Sequence, residues 1–296
     1  MKNLALLDVG GTTIKYGLWD GTEQQLIKTG TVVTPKSLAA YYAVLTQIVE
    51  NFKIHDRVVG VAMSTPGAVN KATGIIEGAS ALPYIHHFEI HDELETRFGL
   101  PVAMENDANC AALAEVGSGA AQGLQNVLLM VIGTGVGGSV IINGQVQHGR
   151  HLFGGEFGYM LMNDGRILSE VGTAVHMAER YNQAAQTNFS GQEVFELANQ
   201  GDLLAQKEAD LLYMSLAQAI YNLQYSFDPE VIILGGGISK ADFLIPNIKK
   251  ALEKILDQVD IAPFMPLIRT CQYYNDANLI GAMEDFRRTY PEIVGY

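Results

Sequence analysis

Cysteine is nearly absent from this 296-residue chain, and the two that occur, Cys110 and Cys271, lie in unrelated contexts. That excludes a disulfide framework and a cysteine zinc cluster. Basic residues are scarce as well: 19 Lys and Arg face 32 Asp and Glu, a net charge of -13, with no Lys/Arg-rich run. Such a balance argues against nucleic acid, whose binding depends on neutralising phosphates. It leaves a small phosphorylated ligand open, because local backbone dipoles can hold one. No apolar run approaches membrane-spanning length, and no signal peptide precedes the first strand-like segment. A cytoplasmic protein is the resulting expectation. With 48% hydrophobic and 17% charged residues the chain reads as globular, and its length suits two domains.

What is present is a pair of glycine- and threonine-rich turns set far apart, each between apolar runs of β type. The first is Asp8-Val9-Gly10-Gly11-Thr12-Thr13, entered from Leu4 to Leu7 and left through Ile14 to Leu18. The second is Gly133-Thr134-Gly135-Val136-Gly137-Gly138, entered from Val127 to Ile132 and left through Ser139 to Ile142. Tight turns of this kind gather backbone N–H groups and small hydroxyls around one point, which suits phosphate oxygens. One in each half suggests a polyphosphate held by two similar domains, and so a nucleotide.

The rest of the chain follows this doubling. Strands are expected at 4–7, 14–19 and 26–33, a helix over 37–53, a strand at 58–63, a helix at 89–98, a strand at 101–104 and a helix from Ala108 to Glu115. The second half restarts with strands at 127–132 and 139–142 and a return strand near 145–148. A mostly helical stretch over 170–226, a strand at 231–234 running into Gly235-Gly236-Gly237, and helices at 242–257 and 277–289 complete it. The expected domains are 1–116, rejoined by the C-terminal helix at 277–296, and 117–276, with a hinge near Gly117 to Ala120.

Gly133-x-Gly135-x-x-Gly138 formally matches the dinucleotide fingerprint, with Glu156 near the distance of its ribose-binding acid. That fingerprint must open a helix; here a strand follows, so the match fails on context. No Walker A sequence occurs. A plain pair of hairpins that need glycine for positive φ is the bland alternative. Two matched turns, one preceded by Asp8, make it the weaker one.

Taken together, Asp8-x-Gly10-Gly11-Thr12, the Gly133–Gly138 turn and Gly235-Gly236-Gly237 resemble the phosphate and adenosine motifs of the sugar kinase, hexokinase, Hsp70 and actin superfamily. Glu105-Asn106-Asp107-Ala108-Asn109 and Gly155-Glu156-Phe157-Gly158-Tyr159 narrow the resemblance to the ROK family of sugar kinases, repressors and open reading frames. It covers essentially the whole chain. It implies an α/β protein of two similar domains with the ribonuclease H-like fold of the actin–hexokinase ATPases, an interdomain cleft, and a homodimer. It also implies an ATP- and Mg²⁺-dependent kinase acting on a small sugar, with no nucleic acid or membrane partner.

The resemblance assigns Asp107 as the general base that takes the proton of the attacking hydroxyl, and Asn106 as a sugar contact. On sequence alone a helix cap is as good a reading of Asp107. An acid beside a phosphate turn calls for an intervening cation, so Asp8 is expected to hold Mg²⁺ through water. Thr12, Thr13 and Thr134 are expected on phosphate oxygens, with Gly10, Gly11, Gly133, Gly135 and Gly137 in the same turns. Lys15 either adds charge there or is a solvated strand residue. Gly235, Gly236 and Gly237 would let adenosine lie against the backbone. Glu156 matches the family's sugar-binding Glu. Glu170 is a second candidate contact, or else a surface helix acid, and Ser64-Thr65-Pro66-Gly67 packs along the sugar's other edge or simply ends a strand.

Two departures from the family pattern bear on the substrate. Position 159 is Tyr where most members have His, and no cysteine occurs between Met160 and Ala178, so no structural zinc is expected. His148, His151, His86, His87 and His91 read as ordinary surface or loop histidines. Glu-Phe-Gly-Tyr-Met without the zinc cysteines is similar to the β-glucoside kinase type of Gram-positive bacteria, which implies transfer to the 6-hydroxyl of a hexose or β-glucoside. N-acetylmannosamine kinase and fructokinase are the nearer alternatives. A sugar-responsive repressor is the more distant one, disfavoured because no basic DNA-binding region stands ahead of the strand at Leu4.

Overall fold

The computed structural model describes residues 2–259 and 264–294. The chain folds into two compact units. The first takes in the chain up to Gly119, the short segment His148–Phe153, and the chain from Asn275 onward; the second is Ala120–Gln147 and Gly154–Tyr274. The boundary differs from the expected one at 116/117 by a few residues, and His148–Phe153 leaves the second half altogether. Its reason is a contact of His148 with a buried carboxylate, described below. Met1, residues 260–263, Gly295 and Tyr296, which the expected domains include, lie outside the described residues.

The first unit is built on a mixed sheet of β1 (Leu4–Val9), β2 (Thr13–Asp20), β3 (Gln25–Val33), β4 (Val61–Thr65) and β7 (Val102–Asn106), ordered β3-β2-β1-β4-β7. The β1–β2 and β2–β3 pairs are antiparallel, whereas β4 and β7 continue the sheet in parallel. All six residues of β1 are buried, as suits a central strand that is apolar except for Asp8. Helix α1 (Leu38–Asp56) covers the sheet with Tyr41, Tyr42, Leu45, Val49 and Phe52, and starts at Ser37, whose side chain accepts from the Ala40 N–H. Between the strands lie the small hairpin β5 (Ala68–Asn70) and β6 (Ile75–Glu77), and α2 (Ile90–Phe98). Two further helices of this unit, α3 (Asp107–Ser118) and α9 (Ala277–Thr289), cross closely. A methyl group at Gly281 would overlap the Cys110 carbonyl, so glycine is what permits the approach.

The second unit repeats the plan. Strands β8 (Val127–Ile132), β9 (Val136–Ile142), β10 (Gln145–Val146), β11 (Val231–Gly235) and β12 (Ile268–Thr270) form a sheet ordered β10-β9-β8-β11-β12. Again the hairpin pairs are antiparallel and the last two strands parallel. Its core is completed by α4 (Leu168–Val171), α5 (Ala174–Ala185), α6 (Gly191–Asn199), the 25-residue α7 (Leu203–Phe227) and α8 (Leu244–Gln258). A short α10 (Pro291–Val294) follows α9 in the first unit. The chain is thus α/β with two mixed five-stranded sheets of the same order. No helix among the described residues is long and apolar enough to cross a membrane.

Candidate active site

In the first unit the parallel register aligns Asp8 of β1 with Ser64 of β4, and Ser64 with Glu105 of β7. Three polar side chains therefore stand in a row at the carboxyl ends of neighbouring strands, where open α/β sheets bind ligands. Asp8 is buried; its Oδ1 accepts from the Ser64 hydroxyl at 3.1 Å and from the Asn278 side-chain amide of α9 at 3.0 Å. Oδ2 lies 3.8 Å from Lys15 Nζ, which also donates to the Asn275 carbonyl at 3.1 Å. Lys15 is half-exposed and turned toward the acid rather than being a plain solvated strand residue.

One residue past Glu105 the strand becomes helix α3. Asn106 is the N-cap: its Oδ1 accepts from the N–H of Ala108 at 2.9 Å and of Asn109 at 3.2 Å. Its Nδ2 donates to the Gly67 carbonyl at 3.0 Å, tying the Ser64–Gly67 loop to the junction. Asp107, at the first helical position, is therefore not the cap. Its Oδ1 accepts from the Ala108 N–H at 2.8 Å, and the residue remains open to solvent. Crowding by surrounding protein raises its carboxyl above the ordinary aspartate value, and the nearby charge of Asp8 raises it further, against the lowering effect of the Ala108 N–H. A carboxylate held on a fixed junction, accessible and more basic than usual, has the makings of a proton acceptor.

The first glycine turn lies beside this row. Gly10 N–H donates to the Thr13 carbonyl at 3.0 Å, while Thr34 closes the turn from outside, its hydroxyl on the Gly10 carbonyl at 2.6 Å and its N–H on the Thr12 carbonyl at 3.0 Å. Gly11, Thr12 and Thr13 are exposed at its tip. Both glycine turns join antiparallel strands, yet none of Gly10, Gly11, Gly133, Gly135, Gly137 and Gly138 has a left-handed φ. Positive φ is therefore not what glycine provides at these positions.

In the second unit three of the motifs come together. Gly236, with φ +88°, packs against Ile132, the residue that enters the second glycine turn, and so brings Gly235–Gly237 beside Gly133–Gly138. The loop carrying Glu156 and Tyr159 is clamped to the exit of the same turn. A Cβ at Gly155 would stand 2.6 Å from the Gly138 carbonyl, and one at Gly158 would overlap the Val136 carbonyl. Glu156 precedes and Tyr159 ends a 3-10 turn at Phe157–Tyr159 whose Phe157 is buried; Glu156 is exposed and Tyr159 is 65% exposed. Ser169 of α4 accepts from the Val136 N–H at 3.0 Å. At Gly133, Gly137 and Gly237 an added Cβ would meet nothing within 4 Å, and φ is ordinary. Glycine at these three places leaves backbone open to a molecule from outside. Next to them is a cavity of about 210 Å³ lined by Ser239, Lys240, Thr270 and Tyr274, with Lys240 Nζ 4.4 Å above the Tyr274 ring.

Glu170 behaves differently from the other expected sugar contacts. It is exposed, and its Oε2 turns back to accept from the Ile167 N–H at the head of α4, at 3.3 Å.

A model of the ROK family matches residues 4–288. This chain belongs to the ROK family. A β-glucoside kinase of Listeria monocytogenes is 32% identical over 297 residues, covering 96% of this chain and 97% of that one. Among solved structures, a ROK family protein from Streptococcus pneumoniae in complex with sucrose matches with a TM-score of 0.89 at 37% identity, over 98% of this chain and 99% of that one. A ROK family glucokinase from Streptomyces griseus in complex with glucose and AMPPNP matches with a TM-score of 0.74 at 25% identity, over 97% and 99% of the two chains.

Several residues of this ROK chain enter the site without having been singled out by sequence. Asn278 and Asp285 lie seven apart on α9, on one helical face directed at Asp8 and toward the Glu105 end of the strand row through Lys71. Two polar residues one heptad apart, on a helix that buries Leu279, Ile280, Met283 and Phe286, were the available signal. The expectation that the histidines are ordinary surface or loop residues is corrected at two positions. His148 Nε2 lies 2.8 Å from Glu105 Oε2, and this contact holds His148–Phe153 in the first unit. His86 is buried, with Nε2 2.7 Å from the Ser80 hydroxyl. One group of potential metal ligands comes together among the described residues: His91, Asp92 and Glu95. His91 Nε2 faces the Val102 carbonyl at 2.8 Å, and its Nδ1 lies 3.3 Å from Asp92 Oδ1.

Proposed function

We propose that this chain is an ATP- and Mg²⁺-dependent sugar kinase that transfers the γ-phosphoryl group to the 6-hydroxyl of a hexose or β-glucoside. We also read both units as ribonuclease H-like domains of the actin–hexokinase type. The observation that carries the catalytic reading is the division of labour at the head of α3. Asn106 caps the helix, so Asp107 is left accessible, with a carboxyl more basic than usual. In this reading Asp107 takes the proton of the sugar hydroxyl as its oxygen bonds to the γ-phosphorus, and the bond from that phosphorus to the bridging oxygen breaks to release ADP. Asn106, Glu156 and Tyr159 hold the sugar's other hydroxyls.

The nucleotide fits the second unit's open backbone at Gly133, Gly137 and Gly237, where nothing of the protein competes for the space. Magnesium fits Asp8 as an outer-sphere partner. Oδ1 is already committed to Ser64 and Asn278, which leaves Oδ2 to receive a metal-bound water. When bound, the ion would neutralise charge on the phosphates. The sucrose held by the Streptococcus pneumoniae relative and the name of the Listeria monocytogenes relative both favour a disaccharide-sized acceptor, and the exposed Tyr159 in place of His suits a wider sugar site.

A coupled ADP-release assay over glucose, cellobiose, N-acetylmannosamine and fructose tests this. Cellobiose and glucose are expected to turn over, and Asp107→Asn to lower kcat by about 10²- to 10⁴-fold with KM little changed. Glucose as the sole acceptor would remove the β-glucoside reading, and undiminished activity in Asp107→Asn would remove the base.

A further inference from the structure

Immediately behind Asp107 lies a buried charge cluster to which the phosphoryl-transfer chemistry assigns no role. Glu105 has no solvent exposure, yet four donors converge on its carboxylate. Oε1 accepts from the Asn106 N–H at 2.8 Å and from the Asn109 side-chain amide at 3.0 Å. Oε2 accepts from His148 Nε2 at 2.8 Å and lies 3.1 Å from Lys71 Nζ. These four fill the acceptor capacity of a carboxylate. Lys71, from the turn between β5 and β6, goes on to Asp285 of α9. Burial works against each charge, but His148 and Lys71 hold the Glu105 carboxyl down to about 2, and Asp285 and Glu105 keep Lys71 protonated.

A buried ionic group is a poor source of net stability, because desolvation offsets most of the attraction. What this one does have is position. Its Oε1 grips the backbone of the residue before Asp107 and the side chain of the residue two after it. The backbone that carries Asp107 can shift only if that grip yields, and a displacement of about 1 Å at a catalytic group can lower a rate about 100-fold. We propose that Glu105 is a positioning residue for Asp107, with Lys71 and His148 keeping its carboxylate charged and oriented. This rests on the reading of Asp107 as the base.

The pair Glu105→Gln and Asp107→Asn, made singly and together in the full chain and assayed with ATP and an accepted sugar, tests it. Gln keeps an acceptor for Asn106 and Asn109 but turns an NH₂ toward His148 and Lys71. Glu105→Gln is expected to lower kcat about 10- to 100-fold, leave sugar KM within about threefold, and have no further effect in the Asp107→Asn background. Wild-type kcat in folded Glu105→Gln, or a loss in the double variant equal to the product of the two single losses, would overturn the positioning role. Full activity in Asp107→Asn would overturn the base reading itself, whatever Glu105→Gln does. If Glu105→Gln does not fold, His148→Gln and the Lys71→Arg/Lys71→Met pair carry the same test. A kcat loss in His148→Gln that vanishes in the Asp107→Asn background, and recovery by Arg but not Met at 71, support the role; unchanged kcat in both His148→Gln and Lys71→Met overturns it.

Discussion

The two units share a strand order but not a charge pattern. At the carboxyl ends of β1, β4 and β7 the first unit places Asp8, Ser64 and Glu105 in one register row. The corresponding row across β8, β11 and β12 in the second unit is Met130, Leu234 and Thr270, followed by Val131 beside Gly235. Their glycine turns differ in the same sense. The first is closed over its own atoms: a Cβ at Gly10 would stand 2.9 Å from the Thr13 carbonyl, and one at Gly11 would stand 2.7 Å from Ala81 Cβ. The second presents Gly133 and Gly137 to empty space. A repeated scaffold has thus been divided by side-chain chemistry. One copy carries carboxylates at its strand ends, and the other carries uncharged backbone that an anionic ligand can approach without repulsion.

Substitution at the two turns gives the sharpest way to break that comparison. Gly137→Val in the second unit is expected to raise the KM for ATP by about tenfold or more, the loss of roughly one good contact, with the melting temperature unchanged because an added Cβ there meets no protein atom within 4 Å and valine suits a strand position. Gly11→Ala in the first unit forces Ala81 or the turn to shift and is expected to lower stability by about 1–3 kcal/mol. Steady-state kinetics beside thermal melts separate the two effects. A loss of stability in Gly137→Val with KM for ATP unchanged would show that the second turn is a packing device and end the contrast.

A smaller effect is expected in the pH dependence of stability, which the buried carboxyls of the first unit dominate. Burial raises the Asp285 carboxyl to about 6, against the lowering charge of Lys71, and its Oδ2 has no hydrogen-bond partner. The folded state then binds this proton more tightly than the unfolded chain. Its stabilising effect is complete below the ordinary aspartate value and is lost as pH rises toward 6. Glu105 has the opposite sign: its contribution is present above the ordinary glutamate value and is lost as pH falls toward 2. Between about pH 4.5 and 6 Asp285 therefore acts without opposition from Glu105, and stability should decline. Asp285→Asn should flatten that decline in urea denaturation measured across the window. An unchanged slope would move the titration to another group.

Much of this was legible in the sequence because it depends on local pattern. Helix α9 spans Ala277–Thr289 as its apolar spacing predicts, and both glycine turns join strands rather than opening a helix. Strands β5, β6 and β12, of three residues each, are too short to show a period and were not foreseen. The site was legible where a motif keeps its residues adjacent, as in Glu105–Asn109 or Gly155–Tyr159. It was hidden where the partners are remote. Lys71, His148, Asn278 and Asp285 reach the first unit's strand ends from a hairpin turn, a returning segment and a distant helix, and only the tertiary fold brings them there. Asn106 illustrates the limit. Either Asn or Asp is a good cap, so adjacent positions 106 and 107 compete on paper, and only the backbone, with Asn106 extended at φ −61° and ψ 147°, decides which one takes the role.

The smallest effect is expected at Glu170, where the second unit's candidate sugar contacts can be told apart. Glu156 and Tyr159 stand on a loop clamped to the glycine turn, while Glu170 turns its carboxylate back onto the Ile167 N–H of its own four-residue helix. A group already engaged in capping gives up that hydrogen bond if it reaches for a sugar hydroxyl. Glu170→Ala should therefore lower stability by at most about 1 kcal/mol and leave sugar KM unchanged, whereas Glu156→Ala should raise sugar KM by about tenfold or more. Kinetics with the accepted sugar at saturating ATP measure both. A tenfold rise in sugar KM for Glu170→Ala at unchanged stability would move this residue from the helix end into the binding site.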